Sequence, residues 1–113
     1  MIDISNNMEN GICELTVVGE VDASSSIHLD NALNEAISKH KKILVDLSGL
    51  DYISSAGLGV FMSYLQQLEK ENIQLIVFGM KEKVLEVFQI LGLGQLLTIT
   101  DSKASALAKI ENA

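Results

Sequence analysis

The chain has 113 residues, 48% of them hydrophobic, which matches one domain with one core that needs no disulfide or metal staple. Eight lysines and arginines stand against fifteen aspartates and glutamates, and the formal charge of −7 excludes a basic phosphate-gripping surface, so any effect on DNA is expected to be indirect. No apolar run approaches about 20 residues, the length of a membrane span, and Met1-Ile-Asp-Ile-Ser5 lacks the basic and apolar parts of a signal peptide, so the cytoplasm is the expected location and no membrane partner is expected.

Two strands are expected first, over 2–6 and 12–18, joined by the turn-rich stretch 7–11 as a hairpin. Cys13, the single cysteine, alternates with Leu15 and Val17 and reads as core. A helix over 25–39 follows, with Leu29, Ala32, Leu33, Ala36 and Ile37 on its inner face and Asp22 or Ser24 near its cap. The order then becomes strand 43–47, helix 56–71, strand 73–78, helix 81–91 closed by Gly92, and a weak strand 96–100, with Asp101 able to cap a last helix. Nothing divides the chain, so residues 1–113 read as one domain. The fold class is α/β, a mixed sheet that begins with an N-terminal hairpin and packs with about four α-helices. Later strands are expected to be parallel, because their connections are helical.

The stretch 43–60 runs from a buried strand into a helix and places Ser54 and Ser55 at the junction. A helix N-terminus has unpaired N–H groups and a positive dipole end, so it accepts a serine cap and tolerates an anion such as phosphate. On this ground alone either serine could be only a cap. If the sheet is open and parallel, the loops 19–24 and 47–55 both lie at carboxyl ends of strands, which brings Asp22 near Ser55. Asp22 is also a good helix cap, and the two uses are compatible. At about 100° per residue, Leu58, Phe61, Met62 and Leu65 point to one side of the second helix, and Ala56, Gly59, Val60 and Ser63 point away. That small, apolar outward face beside Ser55 reads as a protein-docking patch. The plainer alternative is that Gly57 and Gly59 only relieve crowding against the sheet.

Other motifs are weak. Gly57-Leu-Gly59 lacks the third glycine of a dinucleotide loop, and Gly92-Leu-Gly94 follows a helix instead of a strand, so no cofactor is expected. His28 and His40 have no partner at metal-ligand spacing, and no Gly-x-Ser-x-Gly elbow accompanies them; neither a metal nor a catalytic residue is expected. Lys70, Glu71, Lys81, Glu82 and Lys83 read as a solvated rim.

The residues Asp51-Tyr52-Ile53-Ser54-Ser55-Ala56-Gly57-Leu58-Gly59-Val60, together with Gly19-Glu20-Val21-Asp22, resemble the STAS domain of bacterial anti-sigma factor antagonists, and the likeness in pattern covers nearly the whole chain. The resemblance implies a non-enzymatic binding module. Its unphosphorylated form binds an anti-sigma factor serine kinase and frees the sigma factor, and phosphorylation releases the partner until a serine phosphatase resets it. The acceptor serine of the family stands two residues before the first glycine of Gly-Leu-Gly, which is Ser55 here. Sporulation and stress-response members usually carry aspartate just before it, where this chain has Ser54, so Ser54 stays as the alternative acceptor. The family's aspartate beside the acceptor corresponds to Asp22. The expected partner-binding set is therefore Asp22, Ser24, Ser54, Ser55, Ala56, Gly57, Gly59, Val60 and Ser63. Two other readings remain. One is a STAS subunit regulating a transporter or a larger signalling assembly. The other is a small phosphotransfer enzyme using Asp46 or Asp51, disfavoured because Asp22 has only Glu20 near it and Asp101, not a lysine, follows the late strand.

Overall fold

The computed structural model describes residues 2–111. β1 (Ile2–Glu9) and β2 (Ile12–Val21) form an antiparallel hairpin whose whole turn is Asn10 and Gly11. Both have positive φ, 54° and 79°, as a two-residue turn of mirror-image type requires. The turn is thus tighter than the expected 7–11, because Asn-Gly alone can reverse the chain and lets the ladder run on to Glu9.

α1 (Ser26–Lys39), β3 (Lys42–Ile53), α2 (Ser55–Lys70), β4 (Gln74–Phe78), α3 (Glu82–Ile90), α4 (Leu93–Leu96), β5 (Thr98–Thr100) and α5 (Lys103–Glu111) complete the order. The sheet runs β1-β2-β3-β4-β5; the first pair is antiparallel and the rest are parallel, as helical crossovers demand. This is the expected mixed α/β sheet. α4, one turn opened by Gly92 in the left-handed region (φ 77°), is an addition to the expected four helices.

One face of the sheet carries the main core. Val17, Val45 and Val77 form its floor, and Leu33 of α1, Phe61 of α2 and Phe88 of α3 close over it. Phe61 and Phe88 meet edge to face with centroids 5.6 Å apart. On the other face α5 lays Ala106 and Ile110 on Ile12, Leu44, Ile76 and Phe78. The last helix is capped by Ser102, whose Oγ accepts from the Ser105 amide at 3.1 Å; among the described residues the expected cap, Asp101, is engaged only by the Ser105 hydroxyl.

The strongest departure is β3, which runs twelve residues to Ile53 instead of ending at Leu47. Asp46, Ser48 and Gly49 look like turn residues. They continue the strand because α5 leaves this end of its face to solvent, while Leu50 and Ile53 stay buried in the main core. β2 lengthens with β3, and its pairing shifts register between Thr16 and Val18 and again between Gly19 and Glu20. No described helix is long and apolar enough to cross a membrane.

Candidate functional site at the entry of α2

The extension of both strands positions the site. Val21 lies opposite Ile53, and the Ser54 amide donates to the Val21 carbonyl at 2.8 Å, so the segments entering α1 and α2 leave the sheet side by side. Asp22 and Ser54, the next residues of each strand, therefore start neighbouring loops. This is the convergence expected from the open-sheet argument.

Ser54 is the N-cap of α2. Its backbone is extended (φ −85°, ψ 171°), its carbonyl accepts from the Leu58 amide at 3.0 Å, and its Oγ accepts from the Gly57 amide at 3.3 Å. Ser55 is the first helical residue, one position earlier than the expected start at 56. It is exposed, and among the described residues its hydroxyl makes no hydrogen bond. The free amides and positive dipole end of α2 surround it.

Asp22 is engaged within its own loop. Its Oδ1 accepts from the Ser25 amide at 2.8 Å, the Ser25 hydroxyl at 2.8 Å and the Ser24 hydroxyl at 2.9 Å. Ser25 Oγ in turn accepts from the Asp22 amide at 2.9 Å. The Ser25 hydroxyl, then the Ser25 amide, then Ser24 hold the Asp22 carboxyl down at about 2, so the site carries a fixed negative charge at its rim. Ser24 serves to orient Asp22, and Ser25, a residue outside the expected set, is the buried centre of the loop. A serine run after an aspartate is the sequence signal that could have found it.

α2 divides the expected docking residues. A Cβ at Gly57 would lie 2.7 Å from both Ile53 Cγ1 and Val21 Cγ1, so Gly57 is the crowding glycine and is buried, not part of the surface. Gly59 has nothing within 4 Å of the equivalent position and lies open. Val60 is half-buried against the core instead of pointing away from it, while Met62, expected inward, is 46% exposed. The open stripe is therefore Ser55, Ala56, Gly59, Met62, Ser63 and Gln66, which recur at three- and four-residue spacing. The helix turns Met62 outward, against the expected orientation, because Leu58, Phe61 and Leu68 anchor it. Tyr64 donates its hydroxyl to Asp30 Oδ1 at 2.5 Å and ties α2 to α1; burial first, then this bond, pushes the phenol up to about 12.

The carboxylates of the phosphotransfer reading are not gathered. Asp46 Oδ1 accepts from the Ser48 amide and hydroxyl at 2.9 and 2.7 Å, and Asp51 pairs with Lys81 at the start of α3.

Residues 3–106 match the STAS domain family. Among known proteins, the chain is 31% identical over 87 residues to an anti-sigma-B factor antagonist of Listeria monocytogenes, an alignment covering 76% of each chain. The fold is shared with a crystal structure of an anti-sigma factor antagonist from Mycobacterium paratuberculosis (TM-score 0.90, 19% identity, 98% of this chain and 95% of that one). It is also shared with the Bacillus cell fate determinant SpoIIAA in its phosphorylated form (TM-score 0.71, 19% identity, 96% of this chain and 99% of that one). The mixed sheet agrees with these matches, and the chain belongs to the STAS domain family.

Proposed function

We propose that this STAS domain is a cytoplasmic anti-sigma factor antagonist that binds an anti-sigma factor serine kinase when Ser55 is free and releases it when Ser55 is phosphorylated. The observation that carries the reading is the contrast at one helix entry: Ser54 is occupied as the cap, while the exposed Ser55 hydroxyl has no partner among the described residues. The names of the relatives support the class of function, and the phosphorylated neighbour supports the kind of switch.

The chemistry is phosphoryl transfer supplied by the kinase. Ser55 Oγ attacks the γ-phosphorus of ATP, the new O–P bond forms as the bond to the ADP oxygen breaks, and the hydroxyl proton passes to a base on the kinase. This chain contributes only the acceptor and its placement. Because the product lies at a helix N-terminus, the phosphate is compatible with the fold, so the switch acts on docking. A phosphoserine brings about −1.5 to −2 charges. One like charge about 6 Å away at an effective dielectric of about 20 costs about 2.8 kcal/mol, roughly a hundredfold in affinity. A serine phosphatase restores the binding form.

The test is phosphopeptide mapping after incubation with the cognate kinase and ATP. Ser55→Ala blocks incorporation and Ser54→Ala leaves it largely intact. Phosphate found on Ser54 overturns the assignment.

A further inference from the structure

A groove of about 770 Å³ lies between β1 and α1, and Ser55 does not line it. Ile2, Ile4 and Met8 of β1 form part of its floor, and His28, Glu35 and Lys39 of α1 form its wall. Beside it runs one edge of the sheet. β1 is eight residues long, contains neither proline nor lysine, and pairs with β2 without a bulge. Protein sheets blunt such edges by brevity, proline, lysine or a bulge, or they cover them. The opposite edge, β5, is blunted by brevity, at three residues. β1 has no proline, lysine or bulge and is not short; its charged residues Asp3 and Glu9 alternate with the groove-lining Ile2, Ile4 and Met8, and Met8 stands 50% exposed on it.

We propose that β1 is covered by β1 of a second copy of this chain, in antiparallel register with Ser5 opposite the partner's Ser5. The backbone selects this register. In a two-residue hairpin the residues flanking the turn exchange both hydrogen bonds, so Glu9, Asn7, Ser5 and Asp3 bond inward to β2. Ile2, Ile4, Asn6 and Met8 therefore aim their amides and carbonyls at the open edge. Pairing Ser5 with the partner's Ser5 sets Ile2 opposite the partner's Met8 and Ile4 opposite the partner's Asn6. Every outward group then finds a partner, and shifting the pairing by two residues in either direction leaves some unpaired.

Charge and shape point the same way. Asp3 faces the partner's Asn7 and Glu9 faces no carboxylate, whereas the shift toward the turn sets Asp3 against the partner's Glu9, a like-charge pair. The α1 wall carries both signs, with Lys39 and Glu35 paired at 3.3 Å, so two such walls meet without wholesale repulsion. Ile2, Ile4 and Met8 of both copies come to lie on one face of a continuous sheet, flanked by the two α1 helices. The strand strip is about 27 Å long and the α1 wall about 21 Å; at a width of about 10 Å each, the seam buries about 1,000 Å² in all. That is the lower end for specific association, so the dimer is weak, with Kd in the micromolar range. β2 separates the seam from β3, and both Ser55 sites stay open.

The test is sedimentation velocity on the full chain from low micromolar to near-millimolar concentration. The wild type shifts from monomer to dimer and forms nothing larger, since each copy has one such edge. Asn6→Pro removes only an outward amide and keeps the β2 ladder; it weakens the dimer about tenfold or more, with an unchanged circular dichroism spectrum. Ser5→Cys provides a second reading. Paired residues at the axis bring their Cα atoms to about 4.5 Å, within disulfide range, so mild oxidation crosslinks Ser5→Cys and leaves Asn7→Cys uncrosslinked. A monomer at all concentrations, crosslinking at Asn7→Cys as fast as at Ser5→Cys, or an undiminished dimer in Asn6→Pro overturns the proposal.

Discussion

The entries of α1 and α2 lie side by side at the ends of paired strands, and both are built from serines, yet they are finished differently. At α1, Asp22, Ser24 and Ser25 hydrogen-bond to one another, and the loop is closed on itself. At α2, Ser54 alone satisfies the cap, and Ser55 is left exposed with no hydrogen bond among the described residues. A serine that holds its own loop cannot be modified without undoing that loop. A serine left over beside a complete cap can be, and the helix N-terminus welcomes the added charge. The comparison thus separates a structural serine cluster from a candidate switch by hydrogen-bond accounting, where residue type does not distinguish them.

The sharpest way to break this comparison is to charge the open entry. Ser55→Asp should weaken binding to the cognate kinase by at least tenfold and phosphorylated Ser55 by roughly a hundredfold, about 2.8 kcal/mol, while Ser55→Ala binds as wild type. Met62→Glu, on the open stripe of α2, should weaken it as well without unfolding the domain. Isothermal titration that finds affinity unchanged for both Ser55→Asp and Met62→Glu would move the interface elsewhere.

The next largest effect is within α2. Gly57→Ala forces a methyl group against Ile53 and Val21, and overpacking of this kind outweighs the helix-propensity gain, for a net loss of about 1–2 kcal/mol in urea unfolding. Gly59→Ala meets nothing and should stabilise by about 0.5–1 kcal/mol. Equal effects at the two glycines would refute their separation into packing and surface roles. Ser54→Ala should cost about 1 kcal/mol as a lost cap and leave phosphorylation of Ser55 in place.

The smallest effect belongs to the closed entry. The Asp22 carboxyl is held at about 2, below its ordinary 3.8, so its contribution to stability is complete above the ordinary value and is lost as pH falls through about 2. Asp22→Asn should flatten that part of the acid-unfolding curve. A mutant curve that still falls as steeply between pH 3.8 and about 2 would mean that other carboxylates carry the transition.

The periodicity of Leu29, Leu33, Ala36 and Ile37 and the apolar run Ile43-Leu44-Val45 are enough for the α/β order, and the turn-rich stretch 7–11 is enough for a hairpin, though not for its two-residue turn. The serine pair as cap candidates was also legible, because capping is a local matter of residue type and position, and Asp22 beside the second helix entry followed from the open parallel sheet. The family pattern added Ser55.

What local pattern could not decide was anything set by distant neighbours. Gly57 and Gly59 are the same residue two positions apart, and only the ends of β2 and β3 make one of them obligatory for close packing. Met62 is apolar and falls near the inner stripe, but Leu58, Phe61 and Leu68 reach the sheet first and rotate it outward. Asp46, Ser48 and Gly49 read as a turn until it is known that α5 covers only part of that face of the sheet. Elements and candidate caps follow from interactions within about four residues along the chain, which the amino-acid order contains. Burial, strand length and the open face of α2 follow from which surfaces meet across the fold, and those meetings exist only in the tertiary structure.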